Sequence, residues 1–309
     1  MESNLLTRSK ALADGFLKFV NYGVSPFHVV EWSRQQLNSK GFKELHEIDN
    51  WSLSPGQKYF FTRNNSTLVA FTVGSKFDPN NTAFKLIGTH TDSPCLKVNP
   101  VSKMTKNGIE QCCISTYGGG LWHTWFDRDL ILAGKVVFEK DGKYTSALWK
   151  SDKPLLKIPN LAIHLSDDRA KFEPHKENHL RPFFDSVVMK KLLDQHLEEE
   201  GKVFSKHNAG LIKLISDSLK IPAKDIHDFD LYFAAADPTG KVGTLAERSV
   251  HALVVGTGDV QVTVNWDTDA DVDLHVVVDH RDPDLGDLGV QALALPEFMI
   301  EIEATAEID

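Results

Sequence analysis

The chain has 309 residues, enough for roughly two domains. Apolar residues make up 41% and charged residues 25%, close to the globular average, so the composition excludes a disordered or fibrous protein. The formal net charge of −9 argues against nucleic acid as the main partner.

This charge is unevenly distributed along the chain. Residues 237–309 carry 16 acidic and three basic side chains, a net of −13, whereas residues 1–236 carry a net of +4. A step of this size indicates two segments of different character, with a junction near Asp237.

Two helices are predicted at the N-terminus, over residues 5–20 and 26–40. The first alternates charged side chains with its apolar stripe, whereas a secretory signal has an unbroken apolar run, so we expect a mature amphipathic helix. Ser25 is the expected N-cap of the second helix, Pro26 its first residue and Gly41 the residue at which it ends.

A hairpin and a buried strand are predicted next. Strand-like runs cover Lys58–Thr62 and Ser66–Val73 on either side of an Asn64–Asn65 turn. Residues Phe84–Thr89 are apolar enough for a buried strand. His90–Thr91–Asp92 then falls where that strand emerges, at the edge where open α/β sheets hold their sites.

From about residue 97 to 165 the pattern is typical of β structure. Asp129–Glu139 and Lys143–Trp149 carry the strand signal, and Asp141–Gly142 between them predicts a hairpin turn.

The remaining elements are two helices and the strands of the tail. Helical stripes cover residues 185–200 and 207–219, and the helical signals fade after Leu231–Phe233. In the acidic tail, alternation over Val260–Trp266 and Val272–Val278 predicts further strands.

Three cysteines occur, at positions 95, 112 and 113. A sparse, odd set does not indicate a disulfide framework, and no run approaches the ~18–20 apolar residues that a membrane span needs. We therefore expect a reduced cytoplasmic protein with no membrane partner.

The first candidate site is His90 with Asp92. A His-x-Asp pair on a strand places both side chains on one face. Neutral imidazole binds Zn²⁺, and a nearby carboxylate fixes its tautomer and orientation, which is the chemistry of a hydrolytic metal site. Two polar residues that only cap a loop are the alternative.

A glycine-rich string, Gly118–Gly120, is followed by Asp127, Arg128 and Asp129. No Lys-Ser or Lys-Thr pair follows the glycines, so a P-loop is excluded. The two aspartates could be a catalytic pair, but an ion pair of Arg128 that locks a turn or a subunit contact is favoured.

Two weaker metal candidates remain. His175 and His179 have helical i,i+4 spacing, but flanking prolines favour a solvated loop. Alternate carboxylates in the tail would suit Ca²⁺, although a solvated turn is favoured over it. These are Asp267, Asp269, Asp271 and Asp273.

Several stretches together resemble the aspartyl aminopeptidase family, over about residues 1–232. The long glycine–aromatic string is the most specific of them. They are Val24–His28, Gly56–Val73, Gly88–Lys97, Tyr117–Leu130, Ala133–Val136, Ile158–Leu165 and Pro222–Leu231.

This resemblance implies part of an α/β/α zinc-peptidase catalytic domain over residues 1–96. It also implies an inserted β-rich assembly domain of the dimerisation type, with helices, over 97–233. Residues 237–309 would form a separate acidic, β-rich tail of unknown kind. The activity implied is removal of N-terminal Asp or Glu from peptides, in the cytoplasm, by a zinc-dependent homo-oligomer.

The resemblance also implies roles for three residues. His90 matches a zinc ligand, and Asp92 matches the carboxylate that orients it. His164 matches a histidine that the inserted domain presents to a neighbouring subunit's active site.

After Leu231 the family supplies further metal ligands and a catalytic glutamate, and these motifs are not found in the tail. Three hypotheses follow. The tail supplies substitute ligands, the chain is a catalytically inactive homologue, or it is a composite chain that acts as an assembly or binding module. The candidate substitute ligands are Asp267–Asp273, His275, Asp279 and His280.

Overall fold

The computed structural model describes residues 2–78, 85–165, 171–186, 201–237, 252–257 and 259–264. The chain divides into two compact units. Unit 1 comprises residues 1–93 and 239–309, and unit 2 comprises residues 94–238. Within the described residues, no helix combines the length and the apolar character needed to cross a membrane.

Unit 1 begins with the two predicted helices, α1 (Glu2–Tyr22) and α2 (Pro26–Ser39). The expected cap is confirmed, because the Ser25 Oγ accepts a hydrogen bond from the His28 backbone N–H and Pro26 opens the helix. The helices pack through aromatic rings, with Phe19 and Tyr22 of α1 against Trp32 of α2. The chain leaves α2 through Gly41, which has a φ of +79°.

A three-stranded sheet follows. β1 (Lys43–Glu44) runs parallel to β2 (Lys58–Arg63), which pairs antiparallel with β3 (Thr67–Thr72). Asn64 and Asn65 adopt φ values of +54° and +59°, as a tight hairpin turn requires, so the predicted hairpin is confirmed.

The buried strand predicted for Phe84–Thr89 is wrong for residues 85–89, and Phe84 lies outside the described residues. These residues form no regular structure, and the side chains of Leu86 and Ile87 are 85% and 49% exposed. An apolar run becomes a strand only when neighbouring strands satisfy its backbone. The sheet of unit 1 ends at β3, and no described strand pairs with this run.

In its described residues, unit 2 has seven strands and two helices. In chain order these are β4 (Cys95–Lys106), β5 (Ile109–Tyr117), β6 (Asp129–Lys140), β7 (Lys143–Lys150), β8 (Leu156–Lys157), β9 (Phe183–Ser186), α3 (Lys202–Lys206), α4 (Ala209–Leu219) and β10 (Ile226–Ala235).

These strands form a closed ring. The sheet order is β10-β4-β5-β9-β8-β6-β7, and β10 also pairs antiparallel with β6 along nearly its whole length. The ring therefore closes through β10, and β7 extends it beyond β6. Its core is filled by large apolar side chains, and those with no exposed surface are Leu96, Leu130, Leu132, Ile158, Leu180, Ile212, Ile215 and Leu231.

Gly134 allows β6 and β10 to approach each other closely. A Cβ atom at this position would lie 2.0 Å from the backbone oxygen of Asp230, well inside van der Waals contact. Gly134 is paired with Leu231 in the ladder, so a side chain here would force the two strands apart.

The other predictions for unit 2 are mostly confirmed. The hairpin turn lies at Asp141–Gly142, with φ values of +53° and +72°. The second predicted helix is α4, capped by the Asn208 side chain. The helix predicted for 185–200 is wrong at its start, because residues 185–186 end β9, and its remainder lies outside the described residues.

In the tail, β11 (Ala252–Thr257) and β12 (Asp259–Val264) form an antiparallel hairpin. The predicted strand at Val260–Trp266 is confirmed as far as Val264. The predicted strand at Val272–Val278, the aspartates at 267–273 and the candidate ligands at positions 275, 279 and 280 lie outside the described residues.

Candidate functional site

His90 and Asp92 are brought into direct contact in unit 1. The Nδ1 of His90 lies 3.0 Å from Oδ1 of Asp92, and their side chains are 51% and 28% exposed. Between them, the Thr91 hydroxyl donates a hydrogen bond of 2.8 Å to the backbone oxygen of Ser66, beside the β2–β3 turn. Residues 90–92 are thus tied to the hairpin, and the side chains of His90 and Asp92 both reach solvent.

This contact fixes what the imidazole can do. A carboxylate that accepts the Nδ1–H proton holds the tautomer in which Nε2 carries the lone pair. Nε2 is then the nitrogen that could bind a metal ion, with Asp92 as the orienting partner. The geometry therefore fits one histidine ligand of a zinc site.

The rest of a zinc ligand set is not brought together by the described residues. In that part of the chain, no group of three or more His, Cys, Asp or Glu side chains could hold a metal ion. A zinc ion needs about four ligands, of which His90 could supply one.

His164 lies in unit 2, on a segment that we call the His164 loop, residues 158–165. Ile158 is buried, and residues 159–165 are exposed. A short 3-10 turn at Ile163–Leu165 carries the histidine. The apolar side chains around it are unusually open to solvent: Leu161 is 66% exposed, Ile163 60% and Leu165 70%. Exposed apolar side chains in sequence are typical of surfaces that meet another molecule.

Asp127 and Asp129 contact the stem of the His164 loop. The Asp127 carboxylate accepts a 2.9 Å hydrogen bond from the Asn160 backbone N–H. Asp129 forms an ion pair of 3.0 Å with Lys157. These contacts are structural, as favoured from the sequence, but the cation paired with Asp129 is Lys157, whereas the ion pair predicted was one of Arg128.

His175 and His179 lie in an exposed turn, as favoured by their flanking prolines. The Nδ1 of each accepts a backbone N–H, from Asn178 at 3.3 Å and from His175 at 3.0 Å respectively. Both rings are therefore engaged in holding the turn.

His207 of unit 2 was not predicted as a site residue from the sequence, and it is only 1% exposed. Its Nδ1 lies 2.8 Å from the Ser102 hydroxyl, and its Nε2 lies 3.8 Å from Asp228 Oδ1. Burial lowers the pKa of His207 to about 4, with Asp228 acting in the opposite direction. Ser102 and His207 are 105 positions apart, so no local pattern links them.

The cysteines are free thiols. Cys112 is buried in β5, and burial raises its pKa to about 12, so it is not a reactive thiolate.

Comparison with known proteins assigns a family. A family model described as aminopeptidase I zinc metalloprotease (M18) matches residues 19–252. The aspartyl aminopeptidase of Dictyostelium discoideum is 41% identical over 252 residues, covering 76% of this chain and 52% of that protein.

Two solved structures are similar as well. A cryo-EM structure of the Ape4 and Nbr1 complex matches with a TM-score of 0.68 and 37% identity, over 77% of this chain and 46% of that chain. The structure of the mApe1 dodecamer of Saccharomyces cerevisiae matches with a TM-score of 0.61 and 25% identity, over 77% and 51%.

The chain spans about half the length of the curated relatives that it matches. The family match continues to residue 252, further than the limit near residue 232 expected from the motifs, and residues 253–309 lie outside it. The resemblance to aspartyl aminopeptidases is thus confirmed over three quarters of the chain. This chain belongs to the M18 family of aminopeptidase I zinc metalloproteases.

Proposed function

We propose that the protein is a zinc-dependent aminopeptidase that removes N-terminal Asp or Glu from peptides. The observation that carries the proposal is the 3.0 Å contact between His90 Nδ1 and Asp92 Oδ1 within the family motif Gly88–Lys97. Relatives named aspartyl aminopeptidase, 41% and 38% identical, support the substrate class.

In this proposal each residue of the pair has one task. Asp92 accepts the Nδ1–H of His90 and so keeps the Nε2 lone pair directed away from the carboxylate. His90 Nε2 would hold the metal. Zinc, when bound, acts as a Lewis acid and lowers the pKa of bound water. The remaining ligands and the catalytic base are not assigned to residues of this chain.

We further propose that the protein acts as a homo-oligomer in the cytoplasm. His164 would reach the active site of a neighbouring subunit, and its exposed loop in unit 2 supports such a contact. A solved relative is a dodecamer, which supports self-assembly.

Replacement of His90 tests the function. The wild-type chain should hydrolyse an Asp-linked chromogenic amide and contain zinc, and His90→Ala should lose activity at least about 100-fold because a ligand is removed. His46→Ala, an exposed histidine of the same unit, is the control and should retain both. Hydrolysis rates and zinc content by mass spectrometry are the measurements.

Asp92→Asn separates orientation from binding. An amide oxygen can still accept the Nδ1–H but carries no charge, so we expect a partial loss of about 10-fold in activity or zinc affinity. Wild-type protein that binds no zinc and hydrolyses neither Asp-linked nor Glu-linked amides would refute the proposed function.

A further inference from the structure

Asp127 binds the His164 loop with both its backbone and its side chain. Its N–H donates a hydrogen bond of 2.8 Å to the Ile158 backbone oxygen. Its carboxylate Oδ1 accepts a hydrogen bond of 2.9 Å from the Asn160 N–H. One residue thus holds two positions in the stem of the loop, directly before the exposed residues that carry His164.

The backbone of Asp127 is in an uncommon conformation that makes this possible. Its φ is +57°, in the left-handed region that most side chains avoid and that Asp and Asn tolerate best. Asp127 is itself exposed, so the conformation is not imposed by burial. This conformation allows Asp127 to form its two hydrogen bonds to the loop, with Ile158 and Asn160.

Asp127 is in turn attached to a rigid part of the molecule. Two residues later β6 begins, and Asp129 is paired with Lys157 in the β6–β8 ladder and by their ion pair. The adjacent Leu130 has no exposed surface and lies in the core. The stem of the loop is therefore held to the ring of strands by Asp127 and by the buried side chain of Ile158, whereas residues 161–165 project into solvent.

We propose that Asp127 is a positioning residue, which fixes the stem of the His164 loop so that His164 is presented to a neighbouring subunit. The presentation step rests on the proposed function, but the anchoring of the loop does not. A loop held at its stem loses less conformational entropy when it meets a partner, which is the advantage of pre-organisation.

Two substitutions separate the side-chain acceptor from the backbone conformation. Asp127→Gly adopts the same φ freely but has no carboxylate, so only the bond to Asn160 is lost. Asp127→Asn retains an amide oxygen that can accept that bond and also tolerates positive φ. The matched control is Asp141→Gly, because Asp141 has a φ of +53° in an exposed hairpin turn of the same unit.

Hydrogen exchange of the full chain, followed by mass spectrometry, gives the decisive measurement. In Asp127→Gly, amides in residues 158–165 should exchange about fivefold faster, the effect of losing one hydrogen bond. Asp127→Asn and Asp141→Gly should match the wild type in this segment. Unchanged exchange in Asp127→Gly, or equal acceleration in Asp141→Gly, would overturn the proposal.

Activity gives an independent second measurement. If the wild type hydrolyses an Asp-linked amide, Asp127→Gly should lower kcat about fivefold and Asp127→Asn should restore it. Normal kcat in Asp127→Gly despite faster exchange would overturn the presentation step. A wild type without hydrolytic activity would refute the proposed function, while exchange would still decide whether Asp127 anchors the loop.

Discussion

His207 is held in unit 2 by groups from three elements. Ser102 of β4 contacts its Nδ1, Asp228 of β10 lies near its Nε2, and Lys206 of α3 pairs with that same carboxylate at 2.9 Å. The ring also lies 4.2 Å, between centroids, from Phe229. Burial outweighs the attraction of Asp228, so the pKa of His207 falls from its ordinary 6.5 to about 4.

This lowered pKa makes the stability of the fold depend on pH. Between pH 6.5 and about 4, the unfolded chain binds a proton at His207 that the folded chain does not. The contribution of His207 to the free energy of unfolding is therefore fully present above pH 6.5 and is lost as the pH falls toward 4.

A comparison of His207→Asn with the wild type tests this dependence. The wild-type melting temperature should fall about 3–6 °C more than that of the variant between pH 7 and pH 4.5. Asparagine can still bond to Ser102 but does not titrate. His227→Asn, at an exposed position on β10, is the control and should follow the wild type. If the melting temperatures of the wild type and His207→Asn fall equally as the pH is lowered, His207 is not the source of the pH dependence.

At the residue scale, local chemistry was predictable and distant contacts were not. The contact between His90 and Asp92 could be predicted because the two side chains lie two positions apart in the chain. The contact between Ser102 and His207 joins residues 105 positions apart, through the folding of β4 against α3. The role of Asp127 likewise depends on a loop 33 positions away.

Among the elements, β6 and β10 form the longest antiparallel pairing of unit 2, and Gly134 sets their separation. Replacement by alanine places Cβ 2.0 Å from Asp230 O, so the ladder must shift. We expect Gly134→Ala to lower the free energy of unfolding by about 1–3 kcal/mol or more, as overpacking does in a closely packed interior.

Gly119→Ala is the matched control, because a Cβ at Gly119 meets no atom within 4 Å. It should change stability by less than about 0.5 kcal/mol. The free energy of unfolding of both variants is measured by urea denaturation. Equal stability of Gly134→Ala and the wild type would show that the strands can separate at this point without cost.

Elements bounded by turn residues were predictable from the sequence. Asn64–Asn65 and Asp141–Gly142 set their hairpins through backbone conformations that few residues adopt. Residues 85–89 were mispredicted because apolarity indicates burial but does not identify a pairing partner. Closure of the ring by β10 was not predicted either, since pairing between distant strands leaves no local signal.

For the whole molecule, the proposal that His164 of one subunit reaches the active site of its neighbour has a direct consequence. A subunit with His164→Ala keeps its own metal ligand, and a subunit with His90→Ala keeps a usable His164 loop. Mixed oligomers of the two inactive variants should therefore recover part of the activity, about a quarter of the wild-type value for random pairwise contacts.

The experiment is a rate measurement on the two variants, co-expressed and purified as one assembly. Each variant alone, assembled under the same conditions, is the control. If the mixed assembly is no more active than the two separate variants added together, His164 acts in its own subunit or has no role in activity.

The ring closure in unit 2 also determines the order in which the chain can fold during synthesis. β4 begins at Cys95, but its partner β10 ends only at Ala235, so pairing must wait until the ribosome has made the intervening segment. Until then β6 and β4 expose unpaired backbone along their edges, which favours association with other nascent chains.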